Sequence, residues 1–301
     1  MSIPSLRTPD ERFENLPGYS FKPHYVDDLQ DRLRLHYIDE GPADAEHTFL
    51  CLHGEPTWAY LYRKMIPVFT AAGHRAVAPD FFGFGRSDKP IDDQVYTFDF
   101  HRETLIRFIE ELDLANITLV CQDWGGILGL TLPMDMPGRF ARLIVMNTAV
   151  ATGEDPGPGF LAWKGYVASN PEFDIAGLMK RAVPGIRDDE CAAYMAPFPD
   201  GRYRAGVQQF PAIVPITPSM PGADTGQRAA AWLAKSWDGP TFMAVGVQDP
   251  VLGKPAMARM RQVIRGCAEP LILENAGHFV QEAGDVVARA ALEAFAGQRA
   301  D

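Results

Sequence analysis

Cys121-Gln122-Asp123-Trp124-Gly125-Gly126 follows the apolar run Ile117–Cys121 and precedes a helical stretch, Ile127–Pro133. A strand that turns straight into a helix and exposes a nucleophile at the turn bends so sharply that small residues must flank that nucleophile. Cys121 and Gly125 supply the spacing, and Asp123 is the residue between them. The competing reading is an aspartate that caps the helix N-terminus. As a nucleophile, a carboxylate attacking an ester or amide makes a reactive anhydride. Attacking a saturated carbon that bears a leaving group, it makes a plain ester, which water can hydrolyse. Asp123 in this position therefore points to displacement at an sp³ carbon.

Outward from the elbow, Thr48–Leu52, Arg75–Ala78, Ile117–Cys121 and Leu143–Met146 read as strands. They are nearly all apolar, as strands buried on both faces of a parallel sheet must be. Amphipathic stretches lie between them, such as Phe100–Leu112, and strand–helix alternation implies a parallel sheet covered by helices. After Thr148 the pattern changes to a Gly-, Pro- and acid-rich segment, Thr152–Gly159, and then to short helical pieces with many prolines. Strands return at Thr241–Gly246 and Leu271–Leu273, and a last helix spans Asp285–Ala296. The expected organisation is α/β: a core domain of residues 1–147 and 221–301, interrupted by a helical cap of residues 148–220. Such a cap would lie over the C-terminal edge of the sheet, where open α/β sheets bind ligands, and exclude water there.

An ester intermediate needs a base for its hydrolysis, and the base needs an orienting acid. His278, in Asn275-Ala276-Gly277-His278-Phe279, follows the last strand and is the expected base. Asp249, in Gly246-Val247-Gln248-Asp249-Pro250, follows the preceding strand and is the expected acid; its bland alternative is a turn aspartate. The rival place for an acid, after Leu143–Met146, holds Asn147. Two main-chain N–H groups are expected to form the oxyanion hole, those of Trp124 and of Glu55 in the turn His53-Gly54-Glu55-Pro56. The role asked of Glu55 is a backbone one; the bland alternative is an exposed turn residue.

The 301 residues carry a formal charge of −11, which argues against nucleic-acid and anionic membrane partners. The polar Met1–Phe13 segment shows no signal peptide, and no apolar run approaches the roughly 20 residues of a membrane span. The four cysteines, Cys51, Cys121, Cys191 and Cys267, lack metal or redox spacing, so reduced thiols in a cytoplasmic monomer are expected.

The leaving group separates two chemistries. Epoxide opening makes an alkoxide that needs proton donors, and the cap region offers Tyr166, Tyr194 and Tyr203. Carbon–halogen cleavage makes a halide, which needs only polarised N–H donors such as an indole. Trp124 stands next to the nucleophile, and Trp163 is the cap's single tryptophan; either can instead be a packing residue. A haloacid substrate would need cations at the pocket, for which Lys164 and Arg181 are available. A non-catalytic receptor on the same fold would generally have lost a member of the Asp–His–Asp set.

Three runs, His53-Gly54-Glu55-Pro56-Thr57-Trp58, Pro79-Asp80-Phe81-Phe82-Gly83-Phe84-Gly85-Arg86-Ser87-Asp88 and Gln122-Asp123-Trp124-Gly125-Gly126, resemble the haloalkane dehalogenases, and the likeness extends from Arg7 to Glu282. It is nearest to the subfamily whose acid follows the strand after the cap. The resemblance implies an α/β-hydrolase fold, Trp124 and Trp163 as a halide-binding pair, and Phe160 and Phe210 as pocket aromatics. It implies a small halogenated hydrocarbon as substrate, with halide ion and alcohol as products, water as co-substrate, and neither metal nor organic cofactor. The Asn147–Phe160 stretch looks short for this family, which bears on substrate size and halide release.

Overall fold

The computed structural model describes residues 3–297. Strands β1 (His24–Gln30), β2 (Leu33–Glu40), β3 (Thr48–Leu52), β4 (Arg75–Pro79), β5 (Ile117–Gln122), β6 (Phe140–Met146), β7 (Thr241–Gly246) and β8 (Leu271–Leu273) form one sheet. Its order is β8-β7-β6-β5-β3-β4-β2-β1. From β8 to β4 every neighbouring pair is parallel. The β1–β2 and β2–β4 pairs are antiparallel. The mostly parallel sheet flanked by helices is therefore the architecture found.

Every residue of β3 and β5, at the centre, is buried. Strands covered on both faces keep no polar side, which is why their sequences are continuous apolar runs. Leu50, Leu52, Leu119 and Ile144 are fully buried, and each such side chain contributes about 1.5–3 kcal/mol relative to exposure. The rigidity this gives the sheet centre matters because Asp123 leaves the end of β5.

The elbow helix runs over Trp124–Gly129 rather than Ile127–Pro133. The Asp123 carbonyl already accepts from the Gly126 and Ile127 N–H groups at 3.0 Å each, so the first helical turn closes on the elbow residue itself. The β1–β2 hairpin was not anticipated from the sequence.

No strand separates β6 from β7 among the described residues; helices Pro158–Ser169, Ile175–Ala182, Asp188–Met195, Ala205–Ile213 and Ala223–Lys235 fill the interval. Residues from this interval and from the segments that follow β5, β7 and β8 line a common cavity of about 870 Å³. All four cysteines are free thiols. No helix among the described residues is long and apolar enough to cross a membrane.

Candidate active site

Asp123 occupies a backbone conformation that side chains rarely adopt, φ 51° and ψ −126°. Its surroundings enforce it: the Asp123 N–H donates to Asn147 O at 3.0 Å, and Thr148 Oγ1 donates to Asp123 O at 2.7 Å. Strain of this kind survives only where neighbours over-determine it, and it turns the side chain outward. The small flanking residue is explained by contact, since a Cβ on Gly125 would stand 1.9 Å from Leu52 O. Gly54 is small for the carboxylate's sake, because a Cβ there would lie 2.2 Å from Asp123 Oδ1.

The two carboxylate oxygens have different surroundings. Oδ1 accepts from the Glu55 N–H at 2.9 Å, and the Trp124 N–H also bonds the carboxylate. Oδ2 stands 3.7 Å from His278 Nε2. Burial raises the Asp123 pKa above the ordinary carboxylate value; His278 and the two N–H donors only partly offset that. Asp123 is thus a largely desolvated carboxylate, its side chain 17% exposed.

His278 Nδ1 lies 2.8 Å from Asp249 Oδ2. Asp249 is buried, and it is held by Asn147 Nδ2 at 2.9 Å on Oδ2 and by the Val251 and Leu252 N–H groups at 2.8 and 3.0 Å on Oδ1. Although burial works against ionisation, His278 and these donors carry the Asp249 pKa well below the ordinary range. At His278 burial disfavours the cation, but Asp249 and then Asp123 outweigh it and raise the pKa to about 9. An opposing influence is Gln122, whose amide nitrogen donates to His278 O at 3.1 Å and stands 2.9 Å from Nε2, where it favours an unprotonated nitrogen. Asn147, the residue at the rival acid position, therefore supports Asp249 by a hydrogen bond. It also locks β6 to β7 through reciprocal bonds with Gly246 at 3.0 and 2.9 Å.

The oxyanion turn is anchored from the Pro79–Asp88 run. Phe81 N donates to His53 Nε2 at 3.0 Å, while His53 Nδ1 donates to Gly54 O at 2.9 Å. Asp80, fully buried, accepts from His36, from the Ala59 N–H and from the Arg86 N–H at 2.7–2.8 Å. The sequence run that carried the resemblance is thus the brace that holds Glu55 N–H in place.

Both tryptophans face the cavity that contains Asp123, Asp249, His278 and Phe160. Trp124 packs on Phe210 at 4.7 Å, and no protein acceptor among the described residues takes its indole N–H. Trp163 is held between Tyr166 and Phe173, at ring distances of 5.8 and 5.4 Å. Its Nε1 donates to Glu55 Oε2 at 3.2 Å.

One bland alternative is excluded, and one sequence expectation needs correction. The Glu55 side chain is not an exposed turn residue: it is 5% exposed and lines the cavity. Its contact partner, Trp163, is far away in sequence, so nothing local could have revealed this. Phe210 does not line the cavity; its ring is enclosed by Phe84, His101 and Trp124, and the neighbouring Pro211 reaches the wall instead. The sequence assigned Gln122 no role and offered Asn147 only as the rival acid position; their hydrogen bonds to His278 and Asp249 emerge only from the fold.

Residues 47–285 match the family model described as alpha/beta hydrolase fold. A haloalkane dehalogenase of Psychrobacter cryohalolentis is 47% identical, over 94% of this chain and 95% of its own length. One from Mycobacterium marinum is 42% identical, over 92% and 94%. The solved structure of haloalkane dehalogenase DpaA from Paraglaciecola agarilytica NO2, described as tetrameric, superposes with a TM-score of 0.95 at 54% identity, covering 97% of this chain and 98% of that one. That tetramer does not fit the monomer expected from the sequence. With the elbow aspartate in place and relatives this near over almost the full length, the chain belongs to the haloalkane dehalogenases, enzymes of the α/β-hydrolase fold that hydrolyse carbon–halogen bonds.

Proposed function

We propose that Asp123 is the nucleophile, His278 the base, Asp249 its orienting acid, and Trp124 and Trp163 the halide donors, with residues 148–220 as the cap that closes the pocket. The observation that carries this reading is the division of labour on one carboxylate. Asp123 Oδ1 is held by the Glu55 N–H at 2.9 Å, while Oδ2 is left facing the cavity and His278.

In the first step Oδ2 attacks the halogen-bearing carbon, a C–O bond forms, and the C–X electron pair leaves with the halide. Negative charge moves from Asp123 to the halide, and the indole N–H groups meet it there. Alkylation removes the Asp123 charge, one of the influences that raise the His278 pKa. The imidazole, still held by Asp249, gives its extra proton to solvent more readily once the ester exists, and as the neutral ring it is the base. It takes a proton from water, whose oxygen adds to Asp123 Cγ. The oxyanion that forms is Asp123's own Oδ1, already seated on the Glu55 and Trp124 N–H groups. Collapse breaks the Cγ–Oδ2 bond, the leaving oxygen takes the proton held by His278 to become the alcohol, and the carboxylic acid left on Asp123 gives up its own proton to restore the carboxylate.

The alternative leaving groups fit less well. Tyr194, one of the three cap tyrosines, has its hydroxyl bonded to Glu282, and of the three only Tyr166 lines the cavity. Lys164 and Arg181, the cations a haloacid would use, are absent from the cavity wall; the single Lys or Arg there among the described residues is Arg259. The Phe160 ring and the apolar wall suit a hydrocarbon chain. Cytoplasmic residence belongs to the same proposal, supported by the four free thiols. So does assembly into an oligomer like that described for the Paraglaciecola enzyme, which light scattering coupled to gel filtration tests.

The functional test compares bromide release from 1-bromopropane and 1,2-dibromoethane with turnover of styrene oxide and fluoroacetate. Bromide release lost in Asp123→Ala is the expected result. Fast epoxide turnover without halide release would reverse the assignment.

A further inference from the structure

The Glu55 side chain is a polar group on the cavity wall, beside Asp123, that the reaction above does not use. Its carboxyl is buried beside Asp123, with Oε2 on the Trp163 indole N–H at 3.2 Å and Oε1 without a hydrogen-bond partner among the described residues. An indole has a single N–H and accepts nothing. The proton of Trp163 that would meet a halide is therefore already committed when the pocket is empty.

We propose that the Glu55 side chain competes with the halide for Trp163, so that it weakens halide binding and speeds product release. The inference rests on the reading of Trp163 as a halide donor. The competition is not a positioning effect, because Trp163 is held independently, by Tyr166 and Phe173 on the cap side.

Charge bookkeeping supports a neutral Glu55 during the first step. Apart from Asp249, which is paired with His278, one anion is present throughout, first Asp123 and then the halide. An ionised Glu55 would add a second at the moment the halide forms. Burial favours the neutral form of this carboxyl, pushing its pKa well above the ordinary value, with the neighbouring Asp123 charge adding to the effect and the Trp163 bond opposing it. Asp123 is the nearest charged group acting on Glu55, and His278 and Asp249 stand beyond it. After hydrolysis the carboxylate returns while the halide is still bound, and two anions then share the pocket. Release lets the Glu55 carbonyl oxygen take back the Trp163 N–H, so the product leaves without stranding a buried donor.

The test is a bromide titration followed by quenching of tryptophan fluorescence, on Glu55→Leu, Glu55→Gln and Trp163→Phe beside the parent enzyme. Each variant keeps the residue-55 main-chain N–H. Glu55→Leu removes the competitor and is expected to bind bromide about threefold to tenfold tighter, the worth of one hydrogen bond. Glu55→Gln keeps a carbonyl acceptor and is expected to restore the parent affinity. Glu55→Leu binding equal to or weaker than the parent's, with Trp163→Phe weakened, overturns the competition and leaves the Trp163 assignment standing. Unchanged binding in Trp163→Phe removes that assignment and this inference with it. Should Glu55→Leu fail to fold, the pH profile decides. Parent affinity is expected to fall at high pH, where Glu55 ionises, and that of Glu55→Gln to fall less; identical profiles contradict the proposal.

Discussion

His278 Nε2 stands 3.7 Å from Asp123 Oδ2, beyond hydrogen-bonding distance, while its other nitrogen is bonded to Asp249 at 2.8 Å. The gap leaves Oδ2 free of the imidazole, as the proposed roles of nucleophile and base require. It also makes the His278 charge respond to whether Asp123 is free or esterified.

That response has a pH consequence for stability. The folded-state pKa of about 9 lies above the ordinary 6.5. The stabilisation from the His278 cation is complete below about 6.5 and is lost as pH rises through about 9. Thermal melts of parent and His278→Gln between these values should converge as pH rises. A constant difference would mean that the pair is not ionised in the folded enzyme.

Asp249→Asn keeps the shape but loses the charge that orients and supports His278. Turnover is expected to fall on the order of 10³- to 10⁴-fold, by analogy with the loss of the acid in a Ser-His-Asp triad. The loss should fall on hydrolysis of the ester and spare the first burst of halide. Rapid-quench kinetics separates the two, and a burst lost in parallel would place Asp249 in the displacement step. Asn147→Ala, which removes only one donor to Asp249 and the β6–β7 lock, should cost about 1–3 kcal/mol of stability by leaving buried groups unpaired.

Trp124→Phe and Trp163→Phe each remove a hydrogen bond to an anion, worth about 1.5–3 kcal/mol. Each is expected to weaken bromide binding about 10- to 100-fold. A change confined to melting temperature would make the residue a packing group.

Gly125→Ala tests the elbow as a steric device. The added Cβ would meet the Leu52 carbonyl at 1.9 Å, backbone that cannot retreat without moving β3. A loss of about 3 kcal/mol or more is expected in urea unfolding; a variant of parent stability would contradict the contact.

The sheet and the elbow that carries Asp123 were legible because both depend on local pattern. Thr48–Leu52 and Thr241–Gly246 are bounded as the sequence suggested, since strands buried on both faces allow no polar interruption. The hairpin His24–Gln30 with Leu33–Glu40 was missed because β1 lies at an edge and keeps Asp27 and Asp28 exposed, which breaks the apolar run. Asp123, Asp249 and His278 each follow a strand, so their convergence follows from a parallel sheet whose strand ends share one edge. The positions of the Glu55 carboxyl and of Phe210 were not legible. They depend on how helices Pro158–Ser169 and Ala205–Ile213 settle over the sheet, a matter of packing between residues far apart in the chain.

The central claim is that Asp123 carries the alkyl group, and the most direct measurement is an intact-mass spectrum of His278→Ala after incubation with 1-bromopropane. The expected result is a stoichiometric gain of one propyl group, mapped to the peptide containing Asp123, with one equivalent of bromide released. Bromide released in full from a protein whose mass is unchanged would contradict the covalent mechanism.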